Sequence, residues 1–353
     1  AADLARRAGL PRAVTQRCLH TLIRLACAFR RQDLFDNRNL FYVGEVGIGV
    51  NPALAKAVRD ADLLIAVGTR LGEMVTGGYT LLDVPVPRQK LVHVLASAEE
   101  LGRVYQAETQ ILSDMNTFAA AVGEWEPALA AAQSARGAWR AALRDEYEQY
   151  VTPAPRQVAL DPARVIAVLR DTLAPDAILT NGAGNYSAWA HRYYQFSQPG
   201  CQLAPTSGAM GYGVPSAIAA KLLHPGRQVI CLAGDGCFLM SSQELATVRR
   251  HGLHIVFIVF NNSMYGTIRM HQENNYPGRA IGTDLSNPDF VKYAQSFGLQ
   301  AERVCRDEDF APALRRALSC PQAALIELQI DPEIITPRAT LTELRKRAQQ
   351  AAA

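Results

Sequence analysis

No stretch of this chain approaches the roughly 18 consecutive apolar residues of a membrane-spanning helix, and the opening AADLARRAGLP reads as the end of a helix, not as a signal peptide. Charge of one sign is scarce too, with a formal net charge of only +3 over 353 residues. Short basic runs such as Arg30-Arg31 and Arg345-Lys346-Arg347 read as solvated faces. Without a pattern of stacking aromatics they give no case for nucleic-acid binding. The seven cysteines, Cys18, Cys27, Cys201, Cys231, Cys237, Cys305 and Cys320, are spaced neither as a metal cluster nor as a disulfide framework, which points to a reducing cytoplasm. Apolar residues are what the chain has in quantity, 49% against 20% charged, enough to bury more than one core in two domains.

The most specific feature is Gly234-Asp235-Gly236, followed after 24 intervening residues by Asn261-Asn262. Gln228 to Leu232 reads as a buried strand running into this glycine turn, and Ser241 to Arg250 as a helix with Leu245 and Val248 on one face. HIVFIVFNN, from His254, reads as a second strand whose unbroken apolar character suits the middle of a parallel sheet covered on both faces. Both strands then end in polar residues at one carboxyl edge, where open α/β sheets bind ligands. Magnesium takes oxygen donors and combines a few protein ligands with phosphates and water. Asp235 offers a carboxylate, Asn262 an amide oxygen, and the flanking glycines let the backbone approach a diphosphate. Taken alone, Asp235 would serve equally well as the cap of the next helix. A nicotinamide site fits poorly, since GDGCFL lacks the GxGxxG spacing.

With these residues the chain resembles thiamine diphosphate enzymes of the acetolactate synthase, or 2-oxo acid decarboxylase, type, whose signature begins GDG and ends NN at this separation. The resemblance implies an α/β fold of two three-layer parallel-sheet domains. It also implies magnesium held by Asp235, Asn262 and the backbone carbonyl of Met264, with Gly234, Gly236, Cys237, Gly266 and Thr267 around the cofactor. TSGAMGYGVPSA, from Thr206, is similar to the stretch that holds the aminopyrimidine ring. There Met210 would enforce the bent cofactor and the Gly208 carbonyl would accept from its amino group, although Met210 by itself reads as a core residue. TNGAGNYSAW, from Thr180, follows a strand at Ala177 to Leu179 and resembles the first diphosphate loop, which places Ala183, Gly184, Asn185 and Tyr186 near the phosphates.

The expected organisation is a central domain over 1–125, a helical linker over 126–156, a thiamine diphosphate-binding domain over 157–335 and a helical tail over 336–353. Strands are expected at Asp62 to Val67 and Lys90 to Leu95. Residues 12–25 are expected to be an insertion, and GEVGIGVNP, from Gly44, belongs to the domain that holds FAD in some members. LASAEE, from Leu95, lacks the acidic residues of their HIDIDP segment, so FAD is not favoured. Met270-His271-Gln272 departs from the Gln-Trp-Gln run of many acetolactate synthases, and His271 reads as a surface residue of a helix or one packed behind the site, with acid–base chemistry as the alternative.

The pyrimidine-binding domain with which such proteins begin has no counterpart in these residues. Its glutamate is therefore not assigned here, and neither Glu73 nor Glu244 takes the role, so the catalytic residue is unknown. The implied reaction is decarboxylation of a small 2-oxo acid, followed by protonation or transfer to a second carbonyl. The implied assembly is a homo-oligomer or a pair with a chain that supplies the pyrimidine domain. Other decarboxylases and acyltransferases of the type, and a truncated non-catalytic assembly partner, are the alternatives.

Overall fold

The computed structural model describes residues 31–123 and 133–352. The chain divides into two compact units, Ala1–Tyr150 and Val151–Ala353. The opening helix and the insertion expected over 12–25 lie outside the described residues. Among the described residues no helix is long and apolar enough to cross a membrane. The cysteines described there, including Cys201, Cys231 and Cys237, are free thiols.

The first unit is built on a parallel sheet of β1 (Leu63–Val67), β2 (Lys90–Leu95) and β3 (Thr109–Leu112), in that spatial order. Side chains alternate along β2, so one face meets each flanking helix. Leu91 packs with Leu54, Ala55 and Val58 of α1 (Pro52–Asp60), while Val92 and Val94 pack with Phe118 of α2 (Met115–Gly123). The Asn51 side chain caps α1 by accepting from the Ala53 amide at 3.0 Å, and Pro52 fills the first turn. The preceding glycine segment, with Gly44, Gly47 and Gly49 at positive φ, is the turn that delivers Asn51 to this cap. Helix α3 (Gln133–Val151) is fixed by Arg144, whose Nη1 donates to the carbonyls of Asn37, Asn39 and Tyr42 at 2.9–3.0 Å.

The second unit carries a six-stranded parallel sheet. Its strands are β4 (Ile178–Asn181), β5 (Gln202–Leu203), β6 (Val229–Gly234), β7 (Val256–Asn261), β8 (Gln300–Val304) and β9 (Ala324–Gln329), in the order β5-β4-β6-β7-β9-β8. Every residue of β6 and β7 is buried, because helices cover both faces. Ile230, Leu232, Ile258 and Ile326 face a core that includes α4 (Pro162–Thr172), α5 (Ser187–Tyr193) and α11 (Asp307–Ser319). Cys231, Phe257 and Leu325 face the opposite core with α6 (Gly213–Leu223), α8 (Leu245–Arg250) and α10 (Phe290–Ser296). Each unit is thus three layers of helix, sheet and helix.

Several element bounds differ from the sequence reading, among them β4, which begins at Ile178 and runs on to Asn181. β6 runs on to Gly234, which pairs with Phe260 of β7. The helix expected over 241–250 is a 3₁₀ turn at Ser242–Glu244 followed by α8, and a separate short helix, α7 (Asp235–Leu239), precedes it. The break falls at Ser241, whose backbone (φ −143°, ψ 17°) is not helical and whose hydroxyl donates to the Gly211 carbonyl at 2.8 Å. That bond ties the segment to a distant loop and prevents one continuous helix.

Candidate functional site

The strand order determines where a ligand can enter. From β4 the chain passes to β5 on one side, and from β6 to β7 on the other, so the order reverses between β4 and β6. In open α/β sheets the crevice beyond the carboxyl ends at such a point is the binding position. The loop after β4, residues 182–186, and the start of α7 both open there, joined by the end of β7 and by the turn before α6.

Close packing brings these loops together, and glycine makes it feasible. A Cβ on Gly182 would lie 2.3 Å from the Cys237 Sγ. The same sulfur accepts from the Gly211 amide at 3.2 Å and from the Tyr186 hydroxyl at 3.4 Å. Gly234 leaves room for the Tyr186 ring, which a Cβ would meet at 2.8 Å. That ring stacks on Phe260, with centroids 5.8 Å apart. Burial pushes the Tyr186 phenol well above its ordinary pKa, so it stays a neutral donor.

Asp235 stands at one end of a buried polar chain. Its Oδ1 accepts from the Gly236 amide at 2.8 Å, and its Oδ2 from the Asn287 Nδ2 at 2.8 Å. The same Nδ2 donates to Asn261 Oδ1 at 2.9 Å, and Asn261 Nδ2 donates to Glu327 Oε1 at 2.7 Å. Glu327 is closed from the other side by Arg303, Nε to Oε2, at 2.8 Å. Burial raises the Asp235 carboxyl above its usual pKa, opposed by the Asn287 amide and the backbone N–H groups of Gly236, Ser263 and Met264. Ser263, at φ +55°, turns the chain sharply after β7. The turn is clipped by Leu285 N to Ser263 O at 2.9 Å and Tyr265 N to Thr283 O at 2.8 Å.

These loops enclose a cavity of about 220 Å³. Every residue singled out from the sequence as cofactor- or metal-binding lines it, from Ala183 in the first loop to Thr267 at the start of α9 (Gly266–Asn275). Pro162, Trp189, Phe260, Ile330 and Ile334 complete an apolar wall. Asn185 links two sides, donating to the Ile335 carbonyl at 3.1 Å and accepting from the Thr267 hydroxyl at 2.9 Å. Met210 lines the cavity and also packs against the core on the Tyr186 side. His271 is exposed on α9, and neither it, Glu73 nor Glu244 lines the cavity.

Two family models match the chain. One, described as the thiamine pyrophosphate enzyme C-terminal TPP binding domain, covers residues 182–328, and the other, the thiamine pyrophosphate enzyme central domain, covers residues 2–122. The chain belongs to the thiamine pyrophosphate enzyme family. It is 34% identical over 304 residues to the acetolactate synthase large subunit of Parasynechococcus marenigrum, an alignment covering 84% of this chain and 48% of that protein. It is 32% identical over 291 residues to the large subunit of Corynebacterium glutamicum (80% and 46%) and 29% identical over 300 residues to the isozyme 2 large subunit of Escherichia coli (82% and 52%). The chain spans about half the length of these relatives.

Among the described residues no group of three or more His, Cys, Asp or Glu could hold a metal. A hard cation that keeps water and phosphate ligands needs no such cage, and Asp235, Asn262 and Met264 lie together on the cavity. Both backbone bonds of the clip between 263–265 and 283–285 are made by residues flanking Met264, which leaves its carbonyl out of that ladder. The Asn287 Oδ1, beside Asp235, is buried without a partner. The donor set and this unsatisfied acceptor fit a hydrated cation. Gly236 and Gly266 let Tyr265 and Ile335 pack against the backbone at the cavity, since a Cβ would meet them at 2.6 Å and 2.9 Å respectively.

Sequence reasoning did not single out Asn287, Glu327 or Tyr265. A glutamate inside the apolar run ALIELQI was the available signal for Glu327. Asn287 carried none, because its role depends on a contact 52 residues from Asp235.

Proposed function

We propose that this chain is the thiamine diphosphate- and magnesium-binding component of a 2-oxo acid decarboxylase or carboligase of the acetolactate synthase type. The observation that carries this reading is the convergence of four separate loops, at the point where strand order reverses, on one cavity with a buried, oriented carboxylate. When bound, thiamine diphosphate supplies the electron sink that lets a 2-oxo acid lose CO2. Asp235, Asn262 and the Met264 carbonyl would hold magnesium. Gly236, Gly266, Thr267 and the N-terminal amides of α9 would hold the diphosphate, since a helix N-terminus favours anionic oxygen. Gly208 and Met210 would orient the aminopyrimidine, a proximity effect, while Trp189, Phe260, Ile330 and Ile334 exclude water.

Among the described residues no glutamate lines the cavity. The proposed assembly is a homo-oligomer or a pair with a chain that supplies the pyrimidine domain, whose glutamate would carry the proton transfer. A small 2-oxo acid is the proposed substrate and the cytoplasm the proposed location. FAD is not favoured for the first unit.

Calorimetric titration of the chain with thiamine diphosphate, with and without magnesium, tests this reading. The expected result is saturable binding only with magnesium, weakened about 100-fold, roughly 2.7 kcal/mol, in Asp235→Ala. Unchanged binding in that variant would remove Asp235 from the metal site. No binding by the wild-type chain with magnesium would overturn the cofactor assignment.

A further inference from the structure

The polar chain behind Asp235 has a direction that its ends impose. Glu327 has a side chain 1% exposed and its Oε2 is taken by Arg303, so Oε1 is left to accept from Asn261 Nδ2. Asn261 must therefore turn its Oδ1 the other way, where it accepts from the Ser263 amide at 3.1 Å and from Asn287. Asn287 in turn faces two acceptors, Asp235 Oδ2 and Asn261 Oδ1, and spends both amide hydrogens on them. Its Oδ1 is left over, shielded from solvent and without a partner. Buried acceptors are rarely left unpaired, and this one belongs to a side chain bonded to Asp235, which itself lines the cavity, so it points to a donor brought in beside that carboxylate.

The first asparagine of the pair thus acts as an orienting group, whereas Asn262 lines the cavity. A hydrated magnesium ion retains several bound waters, each a strong donor. We propose that Asn287 is a positioning residue of the cation site, clamping Asp235 through its amide and accepting through Oδ1 from a water on the cation. This rests on the reading of Asp235 as a magnesium ligand. The clip between 263–265 and 283–285 explains how Asn287 reaches the site, since it fastens the loop that carries Asn287 beside the turn that carries Asn262 and Met264.

Titrating the full chain with MgCl2, and separately with CaCl2, at saturating thiamine diphosphate tests the proposal in wild type, Asn287→Ala and Asn287→Ser. The alanine variant should raise half-saturating magnesium about tenfold, the loss typical of removing a group that orients a metal ligand. Calcium, which sheds water more readily and accepts more direct ligands, should be affected less. The two hydrogen bonds that Asn287 donates exist without metal, so the metal-free unfolding midpoint should fall in both variants, and the selective loss for magnesium is the readout. Asn287→Ser keeps a hydroxyl and should recover part of the magnesium affinity. Wild-type magnesium affinity in the alanine variant, or equal loss for both cations, would overturn the proposal. If the alanine variant does not fold, the serine variant is judged by the same two titrations. A wild-type chain that takes up no thiamine diphosphate with either cation overturns the cofactor reading itself, a result distinct from normal wild-type binding with an indifferent Asn287→Ala.

Discussion

Asn261 and Asn262 are neighbours of one residue type with different positions in the site. Asn261 is 6% exposed and bonded to Glu327, whereas Asn262 lines the cavity. The difference is set by a glutamate on β9, a strand that pairs with β7 only in the folded sheet, so no reading of the pair alone could assign it. Glycines show the same dependence. Gly182 has no strained φ, and its lack of a side chain matters only because Cys237 occupies the adjacent space. Gly182→Ala is expected to cost about 1–3 kcal/mol in urea unfolding through overpacking. Adding Cys237→Ala should recover most of that loss, and a double-mutant cycle measures the coupling. A purely additive pair of losses would show that the clash is relieved elsewhere.

The strands were legible as elements because their burial is simple. An apolar run of six to nine residues bounded by glycine or asparagine has few alternatives once helices cover both faces. Phe257, fully buried on β7, gives the scale: Phe257→Ala should destabilise by about 3–5 kcal/mol, read as a lowered denaturation midpoint with little change in slope. Helix pairing was less legible. Glu273 on α9 is fully buried and meets Arg345 of α12 (Leu341–Ala352) at 2.6 and 2.7 Å and Arg269 at 3.1 Å. The Arg345 guanidinium hydrogen bonds, aided by the Gly278 amide and Arg269, hold its carboxyl down at about 2, from an ordinary 4.5. Because the folded-state pKa is depressed, this contribution is complete above 4.5 and is lost as pH falls toward about 2. Unfolding followed from pH 6 downward should show a steeper loss in wild type than in Glu273→Gln, and parallel curves would refute the assignment.

At the scale of the whole chain, the cavity joins segments that lie far apart in sequence. Cofactor binding should therefore stabilise them as one unit. With ligand at about 100 times Kd, the expected gain is about 2.7 kcal/mol. Hydrogen exchange should show added protection together at residues 182–186, 208–211, 234–237, 262–267 and 283–287, and protection at one segment alone would contradict a single shared site. The sequence by itself determined the two parallel-sheet units, because strand periodicity, apolar runs and glycine turns are local properties that the backbone must satisfy wherever the strands end up. It also carried the family, through GDG and NN at their spacing. Only the tertiary structure decided which asparagine orients and which faces the cavity, that Asn287 reaches Asp235, and that Tyr186 and Cys237 fill the space beside glycines. Those contacts arise where strand order reverses and loops from separate strands meet, and hydrogen-bond direction is set by the last partner in the chain, which here lies on another strand.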